Sequence, residues 1–268
     1  MDFELSEEHE LMRSTAESFA RDRIAPLVAE DEAAHRFRPE VVREMGELGF
    51  FGAVIDEAYG GTNAGYLASA LMTMEVAQVS ASWGLPFNMQ TMGPGLTIQR
   101  WGTEEQKQRY IPKLVTGELL GCFAMTEPDV AGSDPTLIQT KAVEKDDHWL
   151  GNGLKWFISG AGGAQFAILI ARTEEDPEIP QACNTAFLVD IPSEGWDILR
   201  DIETMSGSHN HAEIRITDLK VPKENMLGGR GQGHRLGQYR LGPARLAHCM
   251  RWIGQAELAL QQGIHRVR

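Results

Sequence analysis

Phe123-Ala124-Met125-Thr126-Glu127-Pro128-Asp129-Val130-Ala131-Gly132-Ser133-Asp134 is where the chain changes texture, and its reading decides the fold. A short strand-like run ends on the hydroxyl of Thr126, and Pro128, Gly132 and the aspartates then make a loop. Exposed backbone donors and the hydroxyls of Thr126 and Ser133, near the ring of Phe123, suit a planar heterocycle with polar edges and an anionic tail. A second stretch, Lys155-Trp156-Phe157-Ile158-Ser159-Gly160, again sets an aromatic two residues before a hydroxyl. Period two puts Phe157 and Ser159 on one sheet face.

Upstream, from Ser6 to about Gly117, the periodicity is helical. Ser6 caps a helix with Glu7 and Glu8 in its first turn, where acids complement the dipole, and Met12, Ala16 and Phe19 share a face. Pro39 opens a second helix that stops at Gly49. Residues 67–79 and 89–99 read as buried helices, and Thr103 with Gln106 forms a capping box for another that ends near Gly117. Downstream, residues 123–126, 137–143, 149–150, 154–159, 166–171, 185–190 and 213–217 are short β-like runs between Gly, Pro, Asp and Asn turns. That density without helices predicts an antiparallel sheet or barrel. From about His234 the spacing of Leu241, Arg245, His248 and Trp252 is helical again.

The chain has 268 residues, with 42% hydrophobic and 24% charged side chains, which fits a globular protein of about two packed units. Its net charge of −13 argues against nucleic-acid binding, which needs a basic face to displace counterions. No run approaches the roughly 20 apolar residues of a membrane span. The opening residues lack the pattern of a signal or transit peptide, so a cytoplasmic location is expected. Cys122, Cys183 and Cys249 lie far apart, which disfavours disulfide scaffolds and thiolate zinc sites.

Three tempting motifs have plainer readings. The run Gly228-Gly229-Arg230-Gly231-Gln232-Gly233 lacks the βαβ context of a dinucleotide fingerprint and reads as a flexible link. His209 and His211 have no third ligand at a recognisable spacing, so they read as a structural or surface pair, not a metal site. His248 and Cys249 point about 100° apart on their helix, so they cannot act as base and nucleophile, and packing is expected for both.

The two strand segments together resemble the acyl-CoA dehydrogenase family, and the resemblance extends over the whole chain. The Met-Thr-Glu-Pro and Gly-Ser-Asp block, Gly153-Leu154-Lys155-Trp156-Phe157-Ile158-Ser159, Val221-Pro222 before Asn225-Met226-Leu227, and Leu241-Gly242-Pro243-Ala244-Arg245 occur in family order. The run from Arg245 to Arg251 is most similar to the branch of family members ten and eleven, associated with long-chain or modified acyl groups. The resemblance implies an α+β fold: an N-terminal helical domain over residues 1–118, a flavin-binding middle antiparallel β-domain over 119–228, and the start of a C-terminal helical bundle over 229–268. It also implies FAD and the α,β-dehydrogenation of an acyl-CoA thioester.

By motif position, the Met125 backbone and Thr126 hydroxyl meet the flavin's polar edge, with Phe123 lining the site. Phe157 packs on the ring while Ser159 addresses its N5 side, and Ile158 between them counts among the cofactor-binding residues. Gly132 and Ser133 approach flavin and acyl-CoA, while Arg245 positions substrate. Ala244 occupies one of the family's two positions for the catalytic base, and the other lies beyond residue 268. No catalytic base is therefore assigned in this chain, and inactivity of the isolated polypeptide is expected. Glu257 lies about 20 Å from Ala244 along a helix, too far to substitute. The implied partners are the acyl-CoA substrate, an electron-transfer flavoprotein or similar acceptor and, for a full-length protein, further copies in a homo-oligomer. The alternatives are an acyl-CoA oxidase and a non-catalytic fragment or acyl-CoA- or partner-binding module.

Overall fold

The computed structural model describes residues 4–175, 178–204 and 207–267. Ser6 caps α1 (Glu7–Phe19), its hydroxyl accepting from the His9 N–H at 3.3 Å. α1 passes through a π-helical turn at Ala20–Ile24 into α2 (Ala25–Ala34), which His35 ends in the left-handed conformation. α3 (Pro39–Glu47) starts on its proline, and α4 (Gly65–Val79) is buried along most of its length. After the single turn α5 (Leu85–Phe87), Asn88–Gly95 is π-helical before α6 (Leu96–Trp101). Pro94 lacks an N–H here, and a Cβ on Gly93 or Gly95 would lie 2.7 Å from the Asn88 carbonyl oxygen or 2.6 Å from that of Gln90. The single helix expected over 89–99 is therefore widened through its first half.

Both halves of the capping box form at the start of α7 (Glu104–Val115). The Gln106 amide also donates to the carbonyls of Glu224 and Met226, tying this helix to the sheet. Tyr110 reinforces the junction. Its ring lies 4.7 Å from that of Phe166, and its hydroxyl donates to Asp190 at 2.9 Å. One apolar core lies within the helical domain around Phe50, Phe51 and Phe87, a second joins helices to sheet, and a third fills the sheet around Trp149 and Phe187.

The strands are β1 (Gly121–Ala124), β2 (Lys141–Glu144), β3 (His148–Ser159), β4 (Phe166–Arg172), β5 (Asn184–Asp190), β6 (Trp196–Thr204), β7 (Gly207–Pro222) and β8 (Met226–Leu227). They run in the order β6-β7-β3-β2-β4-β5-β8, with β1 on β4. Five ladders are antiparallel. The expectation of a purely antiparallel sheet is corrected at β1, which pairs parallel with β4, and at one parallel pair between β2 and β4. The β2–β3 hairpin, not an α-helix, lies between β1 and β4, so this is no βαβ unit. The runs expected at 149–150 and 154–159 are one strand. β6 was not expected, because its adjacent Ile198 and Leu199 and two register shifts against β7 break the alternation.

The glycine run is not a loose link. Arg230 pairs with Glu144 at 2.9 Å and with Glu174, and lies over the Trp149 ring, while the Gly231 N–H donates to Thr185. Glycine is needed at Gly233, where a Cβ would sit 2.9 Å from the Asn184 backbone. From there α8 (Gly233–Val267) contacts the sheet and packs on α4, Gly254 making room for the Met74 and Gln78 backbone.

Candidate functional site

A cavity of about 790 Å³ lies between the helical domain, the sheet and α8. Phe123, Met125, Thr126, Gly132, Ser133, Phe157 and Ser159 line its sheet side, and Ala244 and Arg245 face it from α8. Ile158 is the exception among the expected site residues. Its side chain is 1% exposed and packs in the sheet's core, because strand alternation turns it away. Glu257 lies elsewhere on α8, accepting a hydrogen bond from Gln78.

The strand carrying Phe157 is bulged. Lys155 pairs with Ile214 and Ile158 with Ala212, so β3 holds one more residue than β7 across this step. Phe157 takes the strain in a left-handed conformation (φ 51°) and leaves its ring 42% exposed, facing the cavity. Non-glycine residues in this conformation cluster at ligand-binding sites, where the strain holds a side chain in place. Two residues on, Ser159 Oγ lies 2.8 Å from His211 Nδ1. The reading of His211 as half of a structural or surface pair is thus corrected: it lines the cavity and orients a site hydroxyl. The side chain of His209 lies outside the described residues.

A buried ion pair lies beneath the Met125–Thr126 segment on the same side. Lys155 Nζ sits 2.8 Å from Glu127 Oε1 and donates to the Met125 carbonyl at 2.9 Å. Glu127 also accepts from the backbone N–H groups of Gln139 and Thr140. Burial alone would raise the Glu127 carboxyl, but Lys155 and these donors outweigh it and hold the group below its ordinary value. The Thr126 carbonyl accepts from the Trp156 N–H at 3.0 Å. With both carbonyls engaged, the Thr126 hydroxyl is left without a partner among the described residues, and the β1 loop presents donors and a hydroxyl to the cavity. Gly132 closes against Thr126, where a Cβ would come within 3.2 Å of the threonine methyl.

α8 supplies cations along its cavity face. Arg240 lies 4.5 Å from the Phe123 ring centroid, and burial lowers its pKa. His248, expected to be a packing residue, instead faces the cavity. Burial, then Arg251 and Arg240, lower its pKa. Arg251 reaches across to donate to the Ala81 carbonyl at 2.8 Å. The acids lining the cavity among the described residues are Asp31 and Glu32. Arg38 holds Asp31 at 2.7 Å, and Glu32 accepts from Ser82. Among the described residues, no cavity-lining carboxylate comes from the sheet or α8.

A flat, polar-edged ring fits this donor set: an exposed aromatic for one face, two hydroxyls on neighbouring segments, and free loop donors at the rim. The Phe157 and Ser159 pattern was legible in the sequence. The Glu127–Lys155 and Ser159–His211 pairs join residues 28 and 52 positions apart, and no local spacing signals them.

The family models "Acyl-CoA dehydrogenase, N-terminal domain" and "Acyl-CoA dehydrogenase, middle domain" match residues 6–118 and 122–219. The chain is 38% identical to a glutaryl-CoA dehydrogenase of Desulfococcus multivorans, across 98% of this chain and 68% of that protein. Among solved structures, butyryl-CoA dehydrogenase from Megasphaera elsdenii superposes with a TM-score of 0.92 at 30% identity, covering 99% of this chain and 70% of the other. A structure described as the electron transferring flavoprotein of Acidaminococcus fermentans gives 0.93 at 31% identity, covering 99% and 69%.

Proposed function

Because the chain belongs to the acyl-CoA dehydrogenase family, we propose that its cavity holds FAD against the sheet and an acyl-CoA thioester under α8, for α,β-dehydrogenation of the acyl group. The observation that carries this reading is the convergence of Thr126, Phe157 and Ser159 on one cavity. When bound, FAD supplies the hydride acceptor at N5 for the substrate's Cβ hydrogen, as a base takes the Cα proton.

The chain's own residues bind and orient. Phe157, fixed by its bulge, stacks on one ring face. The Thr126 hydroxyl and the loop N–H groups hydrogen-bond the polar edge, and the Glu127–Lys155 pair holds that loop in register. Ser159, oriented by His211, addresses the N5 side. Ser133 and Gly132 form the rim at which phosphate-bearing parts of cofactor and substrate pass, and Arg245 steadies the acyl-CoA. Ile158 contributes through its backbone. The proton-accepting carboxylate is not supplied by the sheet or by α8, where Ala244 faces the cavity without a titratable group. An electron-transfer flavoprotein is the acceptor in this reading, and a second copy of the chain is the partner that completes the assembly.

The lack of a carboxylate beside Ala244 also favours a second reading, an acyl-CoA-binding protein without turnover. One experiment separates them. Purified chain is loaded with FAD and titrated with acyl-CoA while its visible spectrum is followed. Flavin absorption perturbed by ligand supports the site, bleaching adds turnover, and a chain that binds neither FAD nor acyl-CoA sinks the proposal.

A further inference from the structure

One end of the cavity contains an arginine without a counter-ion. Arg251 has no carboxylate within ion-pairing distance among the described residues, and its Nε is buried without a hydrogen-bond partner. Burial lowers its pKa, with no acid pushing back. The acids on that wall are turned elsewhere, Asp31 to Arg38 and Glu32 to Ser82. An uncompensated, half-buried guanidinium is costly unless something negative completes it.

Trp83, Leu85 and Pro86 line the cavity here, and polar groups are set among them. Arg251 Nη1 lies 3.3 Å from His248 Nδ1. Arginine only donates, so Nδ1 accepts, and the imidazole of this neutral histidine carries its proton on Nε2. Asn88 and Gln90, on the π-helical segment, also line the cavity, and their amide oxygens are buried without partners among the described residues. Gly84 leaves the space that Arg251 fills: a Cβ there would come within 2.9 Å of the arginine Cγ.

α8 gives the distance scale. Met125 packs on Gly237 and Arg240 lies over Phe123, so the sheet wall meets the N-terminal part of the helix. Arg251 is eleven residues beyond Arg240, about 16 Å along the axis. The guanidinium thus stands at the far end from the proposed flavin wall, past Ala244.

We propose that the acyl group bound here carries a negatively charged substituent, a carboxylate or a phosphate ester, which Arg251 receives together with His248. The inference rests on the acyl-CoA reading above and narrows its substrate class. Charge-assisted hydrogen bonds from a desolvated guanidinium discriminate strongly against a neutral chain end, which leaves the site unpaired.

The test is calorimetric binding to the FAD-loaded chain with four probes: adipyl-CoA, hexanoyl-CoA, an acyl-CoA of equal length ending in a phosphate ester, and CoA alone. The wild-type chain is expected to bind at least one anionic probe about 10- to 100-fold more tightly than hexanoyl-CoA. Whichever anionic probe is preferred identifies the substituent. That preference should collapse in Arg251→Met and largely persist in Arg251→Lys, which keeps the charge and controls for folding. Hexanoyl-CoA binding as tightly as both anionic probes overturns the inference and leaves the acyl-CoA reading standing. Equal weakening of all four probes in Arg251→Met also overturns it, because the arginine would then serve the phosphates of CoA. Binding of no acyl-CoA by a folded chain overturns both.

Discussion

Lys155 and Glu127 are buried together beneath the Met125–Thr126 loop, so the site's polar edge depends on a charge pair. Removing one partner leaves the other uncompensated, and Lys155→Met is expected to cost about 3–5 kcal/mol in denaturant unfolding. The pair also sets an acid limit. The Glu127 carboxyl lies below its ordinary 4.5 in the folded chain, so the unfolded chain binds the proton more readily. Its contribution is complete above 4.5 and is lost as pH falls through the lower folded value. Melting temperatures from about pH 6 to pH 3 should fall less steeply for Glu127→Gln than for the parent. Thr126→Val tests the ligand side, and is expected to weaken FAD retention by about 1–3 kcal/mol, the size of a lost buried hydrogen bond. At this scale the sequence is readable only locally. The hydroxyls of Thr126 and Ser159 stand out beside aromatics a few positions away. His211 and Glu127 acquire their roles through strand pairing and loop closure that no short window contains.

The β3 bulge at Phe157 and the π-helical segment Asn88–Gly95 both depart from regular periods, and both face the cavity. Periodicity assumes either two or 3.6 residues per turn, so a reading by period finds the flanking strand and helix and misses the irregular step. That is also why the expected helix over 89–99 and the expected strand at 154–159 were placed correctly in outline but not in detail. Parallel pairing of β1 escaped for a related reason: alternation marks a strand without revealing its partner's direction. Holding Phe157 in the left-handed region costs on the order of 1–3 kcal/mol, and glycine avoids that cost. Phe157→Gly is therefore expected to keep or raise the thermal stability of the chain while lowering its affinity for FAD. A loss of stability with FAD affinity intact would show that the ring serves the core instead.

Across the whole molecule, α8 presents two faces with different needs. The face toward the sheet closes the cavity, while Trp252, Ile253 and Leu260 on the other side are exposed, Trp252 by 71%. Exposed apolar groups of this kind favour burial against another surface. The cavity face supplies arginines and Ala244, the position at which the proposed reaction would need a proton acceptor. Dehydrogenation needs a carboxylate within hydrogen-bonding reach of the Cα proton, on the side of the bond opposite the flavin. The carboxylates lining the cavity among the described residues, Asp31 and Glu32, belong to the helical wall, and Arg38 and Ser82 already engage them. The 268-residue chain loaded with FAD is therefore expected to bind acyl-CoA without bleaching its flavin, and to reduce no artificial acceptor. Supplying a polypeptide that places a carboxylate over Ala244 should start the reaction, and Ala244→Glu is the simplest way to put one there. Bleaching by the parent chain that disappears in Glu32→Gln would contradict this account, because it would show that a carboxylate on the helical wall reaches the substrate after all.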